Sequence, residues 1–140
     1  MNTHIEPIRA SVLVVEDEHG IRDILAELFE VPGNRVDAVE LLPDAQVALA
    51  AREYDLILTD LRLGGKRDGG LQVMAAAGLL SPNATVIVLT AYPDLDSRHA
   101  SMRLGATYFL EKPVDLTTIA TLAAEHGVPT AMGSVVRSGE

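Results

Sequence analysis

Short apolar runs alternate with longer segments of helical periodicity along most of this chain. Ser11 to Val15 (SVLVV) is a β-favouring run that stops abruptly at Glu16-Asp17-Glu18, which predicts a strand. Ile21, Ile24, Leu25, Leu28 and Phe29 then recur at the spacing of one helical face, and Pro32-Gly33 ends that segment. Arg35 to Leu41 is a weaker, mixed strand that suits a sheet edge. Pro43 fits a first helical turn, with Val47, Ala48 and Ala51 as the expected inward face. Leu56 to Thr59 is a third strand ending at Asp60. The glycine-rich stretch Gly64 to Gly70 reads as a loop, followed by a helix from about Leu71 to Leu80. Val86 to Leu89 is a fourth strand ending at Thr90. Asp94 to Leu104 has a helical composition but a poor apolar stripe, closed by Gly105, and should be the least firmly anchored helix. Thr107 to Leu110 is a fifth strand ending near Lys112-Pro113. A last helix from about Asp115 should bury Leu116, Ile119, Leu122 and Ala123 and stop at Gly127.

Five strands, each followed by a helix, imply a parallel sheet, because parallel neighbours need a crossover. The continuous apolar runs of the first, third and fourth strands fit strands covered on both faces. Right-handed crossovers then give an α/β, doubly wound, three-layer sandwich.

Composition narrows the function more than the fold. The chain has 140 residues, of which 48% are apolar and 22% charged, enough for one domain with a real core. Cysteine is absent, which removes disulfides, thiol catalysis and Cys-ligated zinc. A formal charge of −9 disfavours phosphate backbones and anionic lipid, so neither direct nucleic-acid binding nor membrane binding is expected. No apolar run approaches the roughly 18 residues of a membrane span, and the first residues have no signal-peptide pattern. A cytoplasmic location is the expectation.

The strand ends carry the candidate chemistry. In an open parallel sheet, ligands bind beyond the carboxyl ends of the strands. There the first strand delivers Glu16, Asp17 and Glu18, the third Asp60, the fourth Thr90 and the fifth Lys112. Crowded carboxylates repel unless a cation joins them. With oxygen ligands and no histidine nearby in sequence, that cation should be hard: Mg²⁺, with Mn²⁺ or Ca²⁺ able to substitute. A carboxylate can itself be the nucleophile and form an aspartyl phosphate, with Thr90 and Lys112 serving the phosphoryl oxygens.

Over roughly Ser11 to Gly127 the sequence resembles the receiver domain of two-component response regulators, including the single-domain, chemotaxis-type regulators. The resemblance rests on Val14-Val15-Glu16-Asp17-Glu18, Leu58-Thr59-Asp60, Leu89-Thr90-Ala91 and Lys112-Pro113, separated by 43 residues from Asp17 to Asp60, 30 to Thr90 and 22 to Lys112. It implies a flavodoxin-like five-stranded sheet of order 2-1-3-4-5. It also implies that Asp60 is the phosphoacceptor and that Asp17, Asp60 and the backbone carbonyl of Arg62 bind Mg²⁺ directly. Glu16 then acts through water, and Glu18 is a solvated residue. Thr90 is implied as the switch hydroxyl, Lys112 as the phosphate-contacting lysine, Pro113 as a cis-proline and Phe109 as the aromatic switch residue, with Tyr108 facing the other way. The donor would be a sensor histidine kinase, a phosphotransfer protein or a small acyl phosphate. The output would pass to a protein partner through the fourth helix, fifth strand and fifth helix, with room for a homodimer.

The domain division that follows is residues 1–10 as an N-terminal extension, 11–127 as the receiver and 128–140 as a tail or truncated linker. The chain is then a single-domain regulator or a receiver excised from something larger. The sequence departs from the family in Leu63-Gly64-Gly65-Lys66-Arg67-Asp68-Gly69, where many receivers have Met-Pro and then Asp-Gly. Glycine lacks proline's fixed φ, so this loop should be more mobile. Arg62 and Tyr92 lie two residues beyond the phosphoacceptor and the switch threonine, where their bulk should screen a phosphoryl group from water. The alternative is a receiver-like interaction module working without phosphorylation, which the altered loop favours and the intact acidic set opposes. An aspartyl-phosphate phosphohydrolase would need an acid where Arg62 stands.

Overall fold

Strands and helices alternate strictly along the computed structural model, which describes residues 9–132. In chain order they are β1 (Ala10–Val15), α1 (His19–Phe29), β2 (Asn34–Val39), α2 (Leu42–Ala51), β3 (Leu56–Asp60), α3 (Gly69–Leu80), β4 (Thr85–Thr90), α4 (Leu95–Arg103), β5 (Tyr108–Glu111) and α5 (Leu116–Glu125). All neighbouring strands pair in parallel, in the order β2-β1-β3-β4-β5, so the expected topology is observed. None of the described helices is long and apolar enough to cross a membrane.

Alternation along each strand divides the core. Leu13, Val15, Ile57 and Val88 point to a cluster with Leu42, Leu49, Val73 and Met74 of α2 and α3. Val12, Val14, Leu58 and Ile87 point to the opposite cluster with Leu25, Phe29, Ile119 and Ala123 of α1 and α5. Every residue of β3 and β4 is buried, whereas β2 is only partly covered, as its mixed composition predicts for an edge.

Two helix faces differ from those the sequence pattern predicts. Of the expected α1 stripe, Leu25, Leu28 and Phe29 are buried, but Ile21 and Ile24 are 36% and 50% exposed. They lie toward the helix start, which overhangs the sheet's carboxyl edge and looks into a groove instead of onto a strand. In α2 the inward residues are Leu42, Ala45 and Leu49, while Val47 is 71% exposed and Ala51 is exposed. That helix is apolar on nearly every side, so its composition did not fix its rotation.

Two boundaries also shift. The third helix starts at Gly69, two residues earlier than its apolar pattern suggests. Residues 128–132, expected as the start of a tail, pack onto the body. Val128 and Thr130 are buried, the Asn34 side-chain amide donates to the Pro129 carbonyl at 2.9 Å, and the Ala131 N–H donates to the Leu28 carbonyl at 2.7 Å. The rest of the expected extension and tail, residues 1–8 and 133–140, lies outside the described residues.

Candidate functional site

The carboxyl ends of β1, β3, β4 and β5 bring the sequence-predicted residues to one edge of the sheet. Glu16 follows β1 directly, and its N–H donates to the Val39 carbonyl at 3.0 Å, which fixes it beside the β2 end. Asp60 is the last residue of β3, Thr90 the last of β4, and Lys112 follows β5 with its N–H on the Thr90 carbonyl at 2.8 Å.

Carboxylate oxygens of Glu16, Asp17 and Asp60 lie within 4.8 Å of one another. The Lys112 ammonium donates to Glu16 Oε1 at 3.0 Å and to Asp60 Oδ2 at 3.1 Å. Glu16 is 1% exposed, and its other oxygen accepts from the Glu18 N–H at 3.1 Å. Burial above all, with the neighbouring Asp60 charge, raises the Glu16 pKa, against the opposing pull of Lys112 and the Glu18 N–H. Burial works to lower Lys112, yet its bonds to Glu16 and the field of both carboxylates outweigh it and raise the lysine. The site therefore holds its lysine charged.

One ammonium does not neutralise three carboxylates. The donor set is all oxygen, which fits a hard divalent cation. An octahedron of oxygens about 2.0–2.1 Å from Mg²⁺ sets any two roughly 3–4 Å apart. Small rotations of the acidic side chains, or a water bridging Glu16, would close the present spacing, so the residues fit the ion.

The rim differs from the floor. Glu18, expected as a solvated residue, caps α1, its Oε1 accepting from the Ile21 N–H at 2.9 Å. Its negative charge also suits the positive end of the helix. Arg22 of α1 donates to the Glu16 carbonyl at 3.0 Å, a contact for which the sequence carried no signal. The Thr90 hydroxyl accepts from the Tyr92 N–H at 3.0 Å. Tyr92 in turn carries the Arg62 guanidinium 4.3 Å above its ring centroid, joining the two residues expected to screen the site. The Gly64 N–H donates to Asp17 Oδ2 at 2.9 Å.

Phe109 lies on the α4 side of β5, with Arg98 of α4 5.8 Å from its ring centroid. Tyr108 points the other way and meets His126 through its hydroxyl at 2.9 Å. The Lys112–Pro113 peptide bond is cis. Asp94 caps α4 by accepting from the Ser97 N–H at 2.7 Å and the Ser97 hydroxyl at 3.1 Å, and these bonds lower its pKa.

Residues 12–124 match the family model described as the response regulator receiver domain. The chain is 32% identical over 108 residues to the sporulation initiation phosphotransferase F of Bacillus subtilis, covering 77% of this chain and 86% of that protein. It is 30% identical over 125 residues to the response regulator protein FleR of Pseudomonas aeruginosa, covering 89% of this chain but only 26% of FleR. Among solved structures, a response regulator from Burkholderia pseudomallei with a phosphorylated aspartic acid, a calcium ion and citrate superposes with a TM-score of 0.72 at 30% identity. That match covers 81% of this chain and 65% of the other. A receiver domain from Methanospirillum hungatei superposes at 0.76 with 23% identity, over 83% of this chain and 91% of that one, a likeness of fold.

Proposed function

Because the chain belongs to the response regulator receiver family of two-component systems, we propose that it is a phosphorylation-dependent signalling switch whose phosphoacceptor is Asp60. The observation that carries this reading is the Glu16–Asp17–Asp60 cluster bridged by Lys112. Receiver domains take phosphoryl groups from histidine kinases or phosphotransfer proteins, and their chemistry is confined to their own phosphorylation and its reversal. In this reading a carboxylate oxygen of Asp60 attacks the phosphorus, the bond from phosphorus to the donor nitrogen or acyl oxygen breaks, and an acyl phosphate forms. Lys112 holds the Asp60 carboxylate and then meets the added charge, and Thr90 hydrogen-bonds a phosphoryl oxygen. Asp17, Asp60, the Arg62 carbonyl and, through water, Glu16 would hold Mg²⁺, or Mn²⁺ in its place. That ion would offset charge on the phosphoryl oxygens.

The surroundings support a protein donor and a protein target. An apolar groove of about 540 Å³ borders Lys112, lined in part by Ile21, Ile24, Pro113 and Leu116, and offers a seat for the donor. On the other side a cleft of about 260 Å³ lies between Leu95, Arg98 and Phe109. Capture of the phosphoryl group by Thr90 and Lys112 would bias the face of α4, β5 and α5 between two states, with Phe109 following Thr90.

The competing reading is an interaction module that needs no phosphorylation. Backbone NMR with beryllofluoride and Mg²⁺ separates the two. The switch reading expects shift changes that start at Asp60, Thr90 and Lys112 and extend along α4 and β5. Spectra unchanged by the phosphoryl mimic would leave the interaction module standing.

A further inference from the structure

The segment that departs from the family pattern, expected as a mobile loop, is closed on itself. The Leu63 N–H donates to the Lys66 carbonyl at 3.0 Å and the Lys66 N–H donates back to Leu63 at 2.9 Å, around Gly64 (φ 57°) and Gly65 (φ 81°). Two successive positive φ values define a type I′ turn, which glycine and asparagine enter readily and most residues do not. Leu63 is 2% exposed and belongs to the α2–α3 core cluster, so the base of the turn is anchored. Its tip reaches across the sheet edge to the carboxylate following β1, where the Gly64 N–H meets Asp17 Oδ2.

We propose that the Gly64 amide is a positioning donor for the divalent-cation site, holding one oxygen of Asp17 so that the other faces Glu16 and Asp60. The inference rests on the metal-binding reading above. Asp17 is partly exposed and sits on a turn rather than a strand, and among the described residues the Gly64 amide is the one hydrogen-bond donor to its side chain. Without that donor the carboxylate would rotate freely and be repelled by the two acids beside it. With it, the side chain meets the ion already oriented, and the N–H dipole eases the crowding of negative charge. Donors behind a ligating carboxylate commonly set metal affinity within a range of about 10–100-fold. By linkage, an ion on Asp17 should in turn tighten the turn.

The test is calorimetric titration of Mg²⁺ into the full chain and into two variants. In the first, glycolic acid replaces Gly64 by semisynthesis, so that an ester oxygen stands where the N–H was and no side chain changes. In the second, Gly64→Asn keeps the donor and suits the turn, its Cβ meeting only the flexible tip of Leu41 at 2.8 Å. The expected result is binding about tenfold weaker in the ester form, near-wild-type binding in Gly64→Asn, and slower exchange of the Gly64 amide when Mg²⁺ is added to the wild type. Equal affinity of ester and wild-type chains overturns the inference, as does an asparagine variant weakened as much as the ester. A wild-type chain that takes up no Mg²⁺ overturns the metal reading itself, and the inference falls with it.

Discussion

Lys112 shares its ammonium between Glu16 and Asp60 with 18% of its side chain exposed, so it offsets part of the negative charge gathered at the site. Its worth lies less in net stability than in holding Asp60 where a phosphoryl group would arrive, since buried ion pairs gain little over their desolvation. Arg62 and Tyr92 act at the rim. An exposed cation–π contact is worth about 0.5–1 kcal/mol, which in the proposed switch would keep the two side chains together over an acyl phosphate for most of the time. Replacing both residues (Arg62→Ala with Tyr92→Ala) should shorten the phosphoryl half-life about two- to fivefold. An unchanged half-life in a phosphate-release assay would reject the screening role. The acidic pair, Asp60, Thr90 and Lys112 were legible in sequence because each stops a β-favouring run. The amide of Gly64 and the guanidinium of Arg22 were not, because backbone donors and long-range side-chain contacts leave no trace in local pattern.

The start of α3 holds Asp60 in place. Gly70 donates its N–H to the Leu61 carbonyl at 2.8 Å, and a Cβ at Gly70 would run into the Asp60 carbonyl and lie 2.7 Å from the Leu61 Cα. Only glycine allows helix and strand end to approach this closely. Gly70→Ala should therefore destabilise the fold by roughly 1–3 kcal/mol, measured by urea unfolding, and slow phosphorylation by displacing Asp60. Stability and rate both at the wild-type level would contradict that placement. At this scale the strands are legible in the sequence and the helix faces less so. A strand buried on both sides announces itself by an unbroken apolar run, as Leu56 to Leu58 does. The Ala-rich α2 lacks polar positions to mark an outside, and Ile21 and Ile24 are apolar without facing the sheet. The weak anchoring expected of α4 has a physical counterpart, since Ser101 is its only buried residue and the Ser101 hydroxyl has no hydrogen-bond partner. A helix held this loosely is suited to moving.

Across the whole molecule, the parallel sheet gathers groups that are up to 96 residues apart, as Glu16 and Lys112 are, onto a single edge. Topology was legible because five strand–helix units leave few right-handed arrangements, and residues 128–132 were not, because a short segment held by Val128, Thr130 and a few backbone bonds carries neither strand nor helix periodicity. The apolar groove beside α1 and the cleft beside α4 flank the acidic site on opposite sides, so in the proposed switch a donor and a target would have separate surfaces to use. The −9 charge makes a basic partner surface the natural complement. All of this depends on Asp60 forming an acyl phosphate. Intact-mass spectrometry after incubation with acetyl phosphate and Mg²⁺ tests it most directly, with Asp60→Asn alongside. The account predicts one hydroxylamine-labile phosphoryl adduct on the wild-type chain, absent without the metal and absent from the amide variant. A wild-type chain that gains no phosphoryl mass, or an Asp60→Asn chain that gains the same labile adduct, would contradict it.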